Sequence, residues 1–296
     1  MTYMLGTIWL DAPNKLIPAR SGDSNIALSG FADLPIRLGE TYHDWDSENG
    51  IEPYVDADEL FYAGRDITLN MLMKGDPTTV YTSLKAIYDL IDAFTTTQEL
   101  QTPYGIFYNV YVKRISTQPY QNISEVKIEF REPNPVLTYG SIPSTGTATN
   151  TIDGIPFESF GLYLASSLDI SSSPELKTQE YTKYCIERFK KVKHKEKVLQ
   201  INGFIIGNDV NDFLDKVFAL QQLFSSPDTR KVNLNNRTEI ECFAKDGFKI
   251  TNVYLNSKMV ANFSIDLAMV NDKALLVLTA FGGRSILTHS GSIILV

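Results

Sequence analysis

Five carboxylates, Asp44, Asp46, Asp56, Asp58 and Glu59, crowd one polar stretch of the sequence. Far downstream, Arg188, Lys190, Lys191, Lys193 and Lys195 crowd another, RFKKVKHKEK. Charge at such density suits two roles: a solvated face, or an edge that docks a surface of opposite sign. Catalysis has less to work with. His43, His194 and His289 are scattered and form no metal-ligand pattern. Cys185 and Cys242 allow one disulfide at most and no metal spacing, a count that suits a reducing compartment. Lys190, Lys191 and Lys193 could lower the pKa of Cys185, but no base stands beside it in sequence, so it reads as a strand-face thiol. DWDSENGIEPYV alternates Asp44, Asp46 and Glu48 as a calcium loop would. Its glycine, Gly50, comes one place late, and Val55 stands where the bidentate glutamate belongs. GDPTT lacks the glycine and lysine spacing of a phosphate loop, and FGGRS reads as a hairpin turn. The sequence therefore predicts no enzyme, no cofactor and no metal.

The elements that must carry these charges are legible from periodicity. ITLNMLM alternates Ile67, Leu69, Met71 and Met73 with more polar residues, the pattern of a half-buried strand. Asp76 and Pro77 supply an N-cap and a first helical residue, and Val80, Leu84, Ile87, Ile91 and Phe94 fall on one helical face. Two strands follow, IFYNVYV and SEVKIEF. The same order returns about 130 residues later. KVLQINGFIIG is the strand, Asn208 or Asp209 caps the helix, and Phe213, Val217, Leu220 and Phe224 form its stripe. Strands KVNL, IECFA, FKITNVYL and MVANFSIDLAM come next.

Between the two runs lies TYGSIPSTGTATNTIDGIP, a Ser/Thr/Gly/Pro-rich linker without apolar period. We therefore divide the chain into a first domain at 1–137, a linker at 138–156 and a second domain at 157–296. Upstream of each core is a charged, aromatic-dotted stretch, acidic in the first (34–65) and basic in the second (172–197), that suits a long projecting hairpin or extended loop. The expected fold is mainly β with α: two tandem β-sandwich or barrel domains, each with one packed α-helix and a projecting hairpin. Strands do not alternate with helices, which excludes a βαβ array.

Net charge is −8 and unevenly placed. Residues 1–137 hold 10 Lys/Arg and 19 Asp/Glu, while residues 138–296 hold 17 and 16. An acidic half argues against a surface that grips nucleic acid, but not against a channel along which like charge lets phosphate slide. MTYMLGTIWLDAPNKL does not read as a signal peptide, and ALLVLTAF is too short to span a membrane. We expect no stable membrane association.

The residues of both cores, ITLNMLMKGDPTTVYTSLKAIYDLIDAF with IFYNVYV and SEVKIEF, and VLQINGFIIGNDVNDFLDKVFALQQLF with FKITNVYL and MVANFSIDLAM, resemble the tail-tube fold of phage tail tubes, distal tail proteins and baseplate hubs. The resemblance is one of element order across most of each half. It implies a structural virion protein of the phage tail, built in the host cytoplasm, of the distal tail or hub kind rather than plain tube. Its implied partners are copies of itself, as a hexamer or a pseudo-sixfold trimer, together with the tail tube protein and other tail-tip proteins. DNA would be transient cargo in the lumen. The alternative is a two-domain β-sandwich binding module, an adhesin or carbohydrate binder. Such a binder should cluster exposed aromatics, and Trp9 and Trp45 lie far apart in sequence.

Overall fold

In the computed structural model, residues 3–11, 16–45, 49–165, 175–183, 186–235 and 239–270 are described. Asp46, Cys185, His289, ALLVLTAF and FGGRS lie outside them.

The first half contributes β1 (Met4–Leu5), β2 (Ile8–Trp9), β3 (Leu16–Pro18), β4 (Leu28–Ser29), β5 (Tyr42–His43), β6 (Glu52–Pro53), β7 (Arg65–Lys74), α1 (Pro77–Asp92), β8 (Gln98–Thr102), β9 (Gly105–Pro119) and β10 (Ile123–Glu132). The second contributes β11 (Thr151–Ile152), β12 (Ile155–Pro156), a 3-10 turn (Phe157–Phe160), β13 (Leu162–Leu164), β14 (Leu176–Lys183), β15 (Ile186–His194), β16 (Val198–Gly207), α2 (Val210–Ser225), β17 (Arg230–Asn233), β18 (Ile240–Ala244), β19 (Lys249–Leu255) and β20 (Met259–Met269).

Each half forms an eight-stranded sheet, and the two sheets share one strand order. The first runs β2-β1-β8-β9-β10-β7-β3, with β4 also on β7. The second runs β12-β11-β17-β18-β20-β16-β13, with β19 also on β20. The match reaches single hydrogen bonds. Gly6 N–H donates to the Glu99 carbonyl (2.8 Å) and Asp153 N–H to that of Lys231 (2.7 Å), each at a positive-φ turn between paired two-residue strands. Ala19 N–H donates to the Asn70 carbonyl (3.0 Å) and Ala165 N–H to that of Asn202 (2.9 Å). Two tandem β domains, each with one helix, are the architecture.

Burial follows the period-2 pattern. On β7, Ile67, Leu69, Met71 and Met73 are buried, as are Leu199, Ile201 and Ile205 on β16. Asp76 Oδ1 accepts from Thr78 and Thr79 N–H (2.9 and 3.1 Å), satisfying donors that the first turn of α1 cannot pair internally. Asp209 Oδ1 accepts from Asp212 N–H (2.9 Å), while Asp212 Oδ2 accepts from Asn208 N–H (2.6 Å), a reciprocal cap for α2. The linker orders by lying on α2. Gly140 rests against the backbone of Asp215 and Ala219 with no room for a Cβ.

The charged stretches take different forms. β14 and β15 pair with each other and with no other described strand, a free-standing hairpin. Its counterpart in the first half is reduced to the ladder Tyr42–Pro53 and His43–Glu52. That short ladder does not stand away from the molecule. It lies on the second half, where Ile51 packs with Phe243 and Ala268.

Candidate assembly interface

The second half carries an edge that the first half covers. β19 pairs with β20 on one side only, so its other side presents bare backbone groups. Residues 24–34 meet them. Asn25 N–H donates to the Val253 carbonyl (3.0 Å), and Leu34 N–H to that of Phe248 (3.1 Å). Side chains take the remaining donors. Ser24 Oγ accepts from Val253 N–H (2.9 Å) and Asp33 Oδ1 from Ile250 N–H (2.7 Å). Asn25 Oδ1 accepts from Leu255 N–H (2.7 Å), while its Nδ2 donates to the Leu255 carbonyl (2.9 Å). One asparagine thus stands in for a strand residue. The approach is close enough that Gly247 leaves no space for a Cβ against the Leu34 and Pro35 carbonyls.

A second group of contacts lies above this edge. Arg37 is buried, and its guanidinium donates to the carbonyls of Ala244 (3.4 Å), Glu59 (3.5 Å) and Tyr54. Asp228 N–H donates to the Val55 carbonyl (3.0 Å), and the Tyr62 hydroxyl to that of Phe224 (3.3 Å). Burial pushes the Tyr62 phenol up to about 12, so it stays a donor across the ordinary pH range. Burial also raises the Asp33 carboxyl to about 6, against the opposing pull of the Ile250 N–H and the Arg65 and Lys249 charges.

The acidic and basic runs meet at one place. Asp44 pairs with Lys177 at the base of the β14–β15 hairpin. Lys177 also donates to the carbonyls of Trp45 (2.9 Å) and Gly50 (3.0 Å). Gly50 N–H donates to the His194 carbonyl and His194 N–H to Asn49 Oδ1, both at 3.0 Å. Lys177 was not singled out in the sequence. It belongs to no run, and only the hairpin register, which places it beside Lys193, brings it here.

The other carboxylates lie apart from this point. Asp56 and Asp58 are exposed in a turn where Glu59 Oε2 accepts from Asp56 N–H (3.0 Å). Arg188, Lys190 and Lys191 lie on β15, opposite Tyr181, Gln179 and Thr178. Lys195 pairs with Glu175 at 2.9 Å, both exposed.

Among the described residues, no group of three or more His, Cys, Asp and Glu side chains converges as a metal site would. Cys242 is buried, and desolvation drives its thiol pKa upward. His43 lies against Trp45 in a tilted arrangement, with ring centroids 4.1 Å apart. No helix of the described residues is long and apolar enough to cross a membrane.

No family model matches the chain, and no curated protein matches it. Among solved structures it is similar to SPP1 Dit (gp 19.1), described as a paradigm of the hub adsorption apparatus in phages infecting Gram-positive hosts. That similarity has a TM-score of 0.36 and 12% identity, over 90% of this chain and 97% of the other.

Proposed function

We propose that this chain is a structural protein of a phage tail tip, of the distal tail or baseplate hub kind. It forms a ring that joins the tail tube to the tip proteins and lines the DNA conduit. The observation that carries the reading is the repeat itself: two sheets of one topology, joined by a contact that runs from the 24–34 segment of the first half to a strand edge of the second. A contact between unlike surfaces can be repeated, and if its rotation closes it makes a ring. Two such units per chain allow three chains to close a pseudo-sixfold ring, or six chains to stack two.

The outer face of the second sheet supports the conduit. Val198, Gln200, Asn202, Phe204 and Ile206 alternate outward on β16, and Val260, Asn262, Ser264 and Asp266 on β20. Those nine positions hold no lysine or arginine and so offer phosphate nothing to grip, while Lys249, paired with Ser264, stands at the edge of the same face. The test is electron microscopy of the purified chain with light scattering at several concentrations. Rings of six wedges are expected. A monomer at every concentration, and above all one that binds glycans, would reject the reading in favour of a binding module.

A further inference from the structure

One surface is occupied in the second half and vacant in the first. Positions correspond through the ladders. Val126 pairs with Met71 on one side and Thr117 on the other, and Phe263 pairs with Gly203 and Ile250. Met71 and Gly203 are themselves equivalent, since Pro18 pairs with the one and Leu164 with the other. Thr117 therefore stands where Ile250 stands, and Ile115, two residues earlier, stands where Phe248 does.

In the second half, the Ile250 N–H and the Phe248 carbonyl point away from β20 and are taken by Asp33 and Leu34. In the first half, the equivalent N–H of Thr117 and carbonyl of Ile115 make no hydrogen bond to any other part of the described chain. Among the described residues the strand is open there, and it faces a cleft of about 670 Å³ lined by Arg20, Gly22, Ser116, Thr117, Gln118 and Lys127.

The helices repeat the asymmetry. On α2, Gln221 and Phe224 meet Ala32 and Tyr62 of the first half and are buried. Leu223, between them, is 2% exposed, whereas Leu90, at the same place on α1, is 48% exposed.

We infer that the outer edge of β9, from Ile115 to Pro119, is the docking site for the second half of another copy of this chain, seated as the first half is seated on β19. The inference rests on the proposed self-assembly and adds the location of the joint between copies. The in-chain joint identifies the occupant. The second half has the same topology as the half that covers β19, and among the described residues it is the only other such unit. Covering β9 would also remove a bare strand edge, which a soluble protein otherwise has to blunt.

The experiment compares the full chain with Thr117→Pro. Proline deletes the outward N–H while leaving the β10 ladder intact, since an edge strand tolerates it at an outward position. A second variant, Thr117→Lys, keeps the N–H and places a charge on the edge. Circular dichroism melts verify that each folds. Light scattering over a concentration series is expected to show the wild type assembling. Thr117→Pro should need roughly tenfold more protein for the same mass, as the loss of one good hydrogen bond per joint implies, and Thr117→Lys should also need more, because it puts an unpaired charge into the joint. If the wild type assembles and both folded variants assemble equally well, this edge is not the joint and the inference is overturned, while the ring reading stands. If the wild type never assembles, both fall.

Discussion

Helix α1 and helix α2 are each 16 residues long and each opens on an aspartate cap, yet α1 buries three side chains and α2 seven. The difference lies in what covers them. α1 has a sheet on one side and water on the other, with Tyr81 and Leu90 exposed. α2 has the sheet on one side, and the linker at Gly140 and the first half at Ala32 and Tyr62 elsewhere. The same contrast holds between the open β9 and the covered β19. A duplicated fold thus keeps its topology while its surfaces diverge according to which copy is already partnered. The second half is the finished one, and the first shows what the unit looks like before its neighbour arrives.

Aspartate at equivalent helix positions breaks the comparison most sharply. Val217 is fully buried on α2, and Leu84 holds the corresponding place on α1 with a little exposure. Val217→Asp should cost about 4 kcal/mol or more, because a charge there has no partner and no water. Leu84→Asp should cost roughly half of that, since it lies closer to solvent on a helix covered from one side only. Urea titration followed by circular dichroism gives both values. Equal costs would mean that the extra cover on α2 adds nothing to its stability.

The second contrast lies at the start of β7 and β16. Arg65 and Glu132 form a buried ion pair, with Nη2 and Nε of the arginine 2.7 and 3.0 Å from Oε2. Arg65 also donates to the Phe31 carbonyl at 3.0 Å and lies over the Phe107 ring. The same two ladder positions in the second half hold Lys197 and Met269, joined by a Met269 N–H bond to the Lys197 carbonyl (2.8 Å). Glu132→Met copies the second half into the first. It should lower stability by about 3 kcal/mol, because Arg65 is left charged and buried without its counter-ion. An unchanged urea midpoint would show that the slot never needed the pair.

The sequence carried the repeat well, because both cores are written in periodicity. Leu69 and Ile201, or Val80 and Phe213, announce their faces within a few residues of neighbours. It carried the joint poorly. Ser24, Asn25 and Asp33 look like ordinary loop residues, and their partners lie more than 200 residues away on β19. No local period encodes a side chain that replaces a strand. The acidic stretch shows the same limit: its density suggested a projecting loop, but Asp44, though exposed, is tied to the second half by Lys177, and Arg37 anchors the stretch to Ala244. Composition reports how much charge a segment has and is silent about what it faces.

The smallest effect concerns Asp33, the one carboxylate in the covered edge, for which β9 has no counterpart. Its carboxyl titrates near about 6 because burial disfavours the charge, although the Ile250 N–H, Arg65 and Lys249 all favour it. An aspartate in the unfolded chain titrates near about 3.9, so the folded state holds this proton more tightly. The associated stability is full below about pH 4 and is lost as the pH rises through about 6. At neutral pH the joint therefore holds a carboxylate it would rather protonate. Asp33→Asn keeps an oxygen for the Ile250 N–H and removes the charge. Since part of the residue still touches water, the gain at pH 7.5 should be about 1 kcal/mol, with none expected at pH 4. Melting temperatures of both proteins from pH 4 to 8 decide it. Parallel curves would mean that the carboxylate is as well satisfied charged as neutral, and that the hydrogen bond to β19, rather than burial, governs its titration.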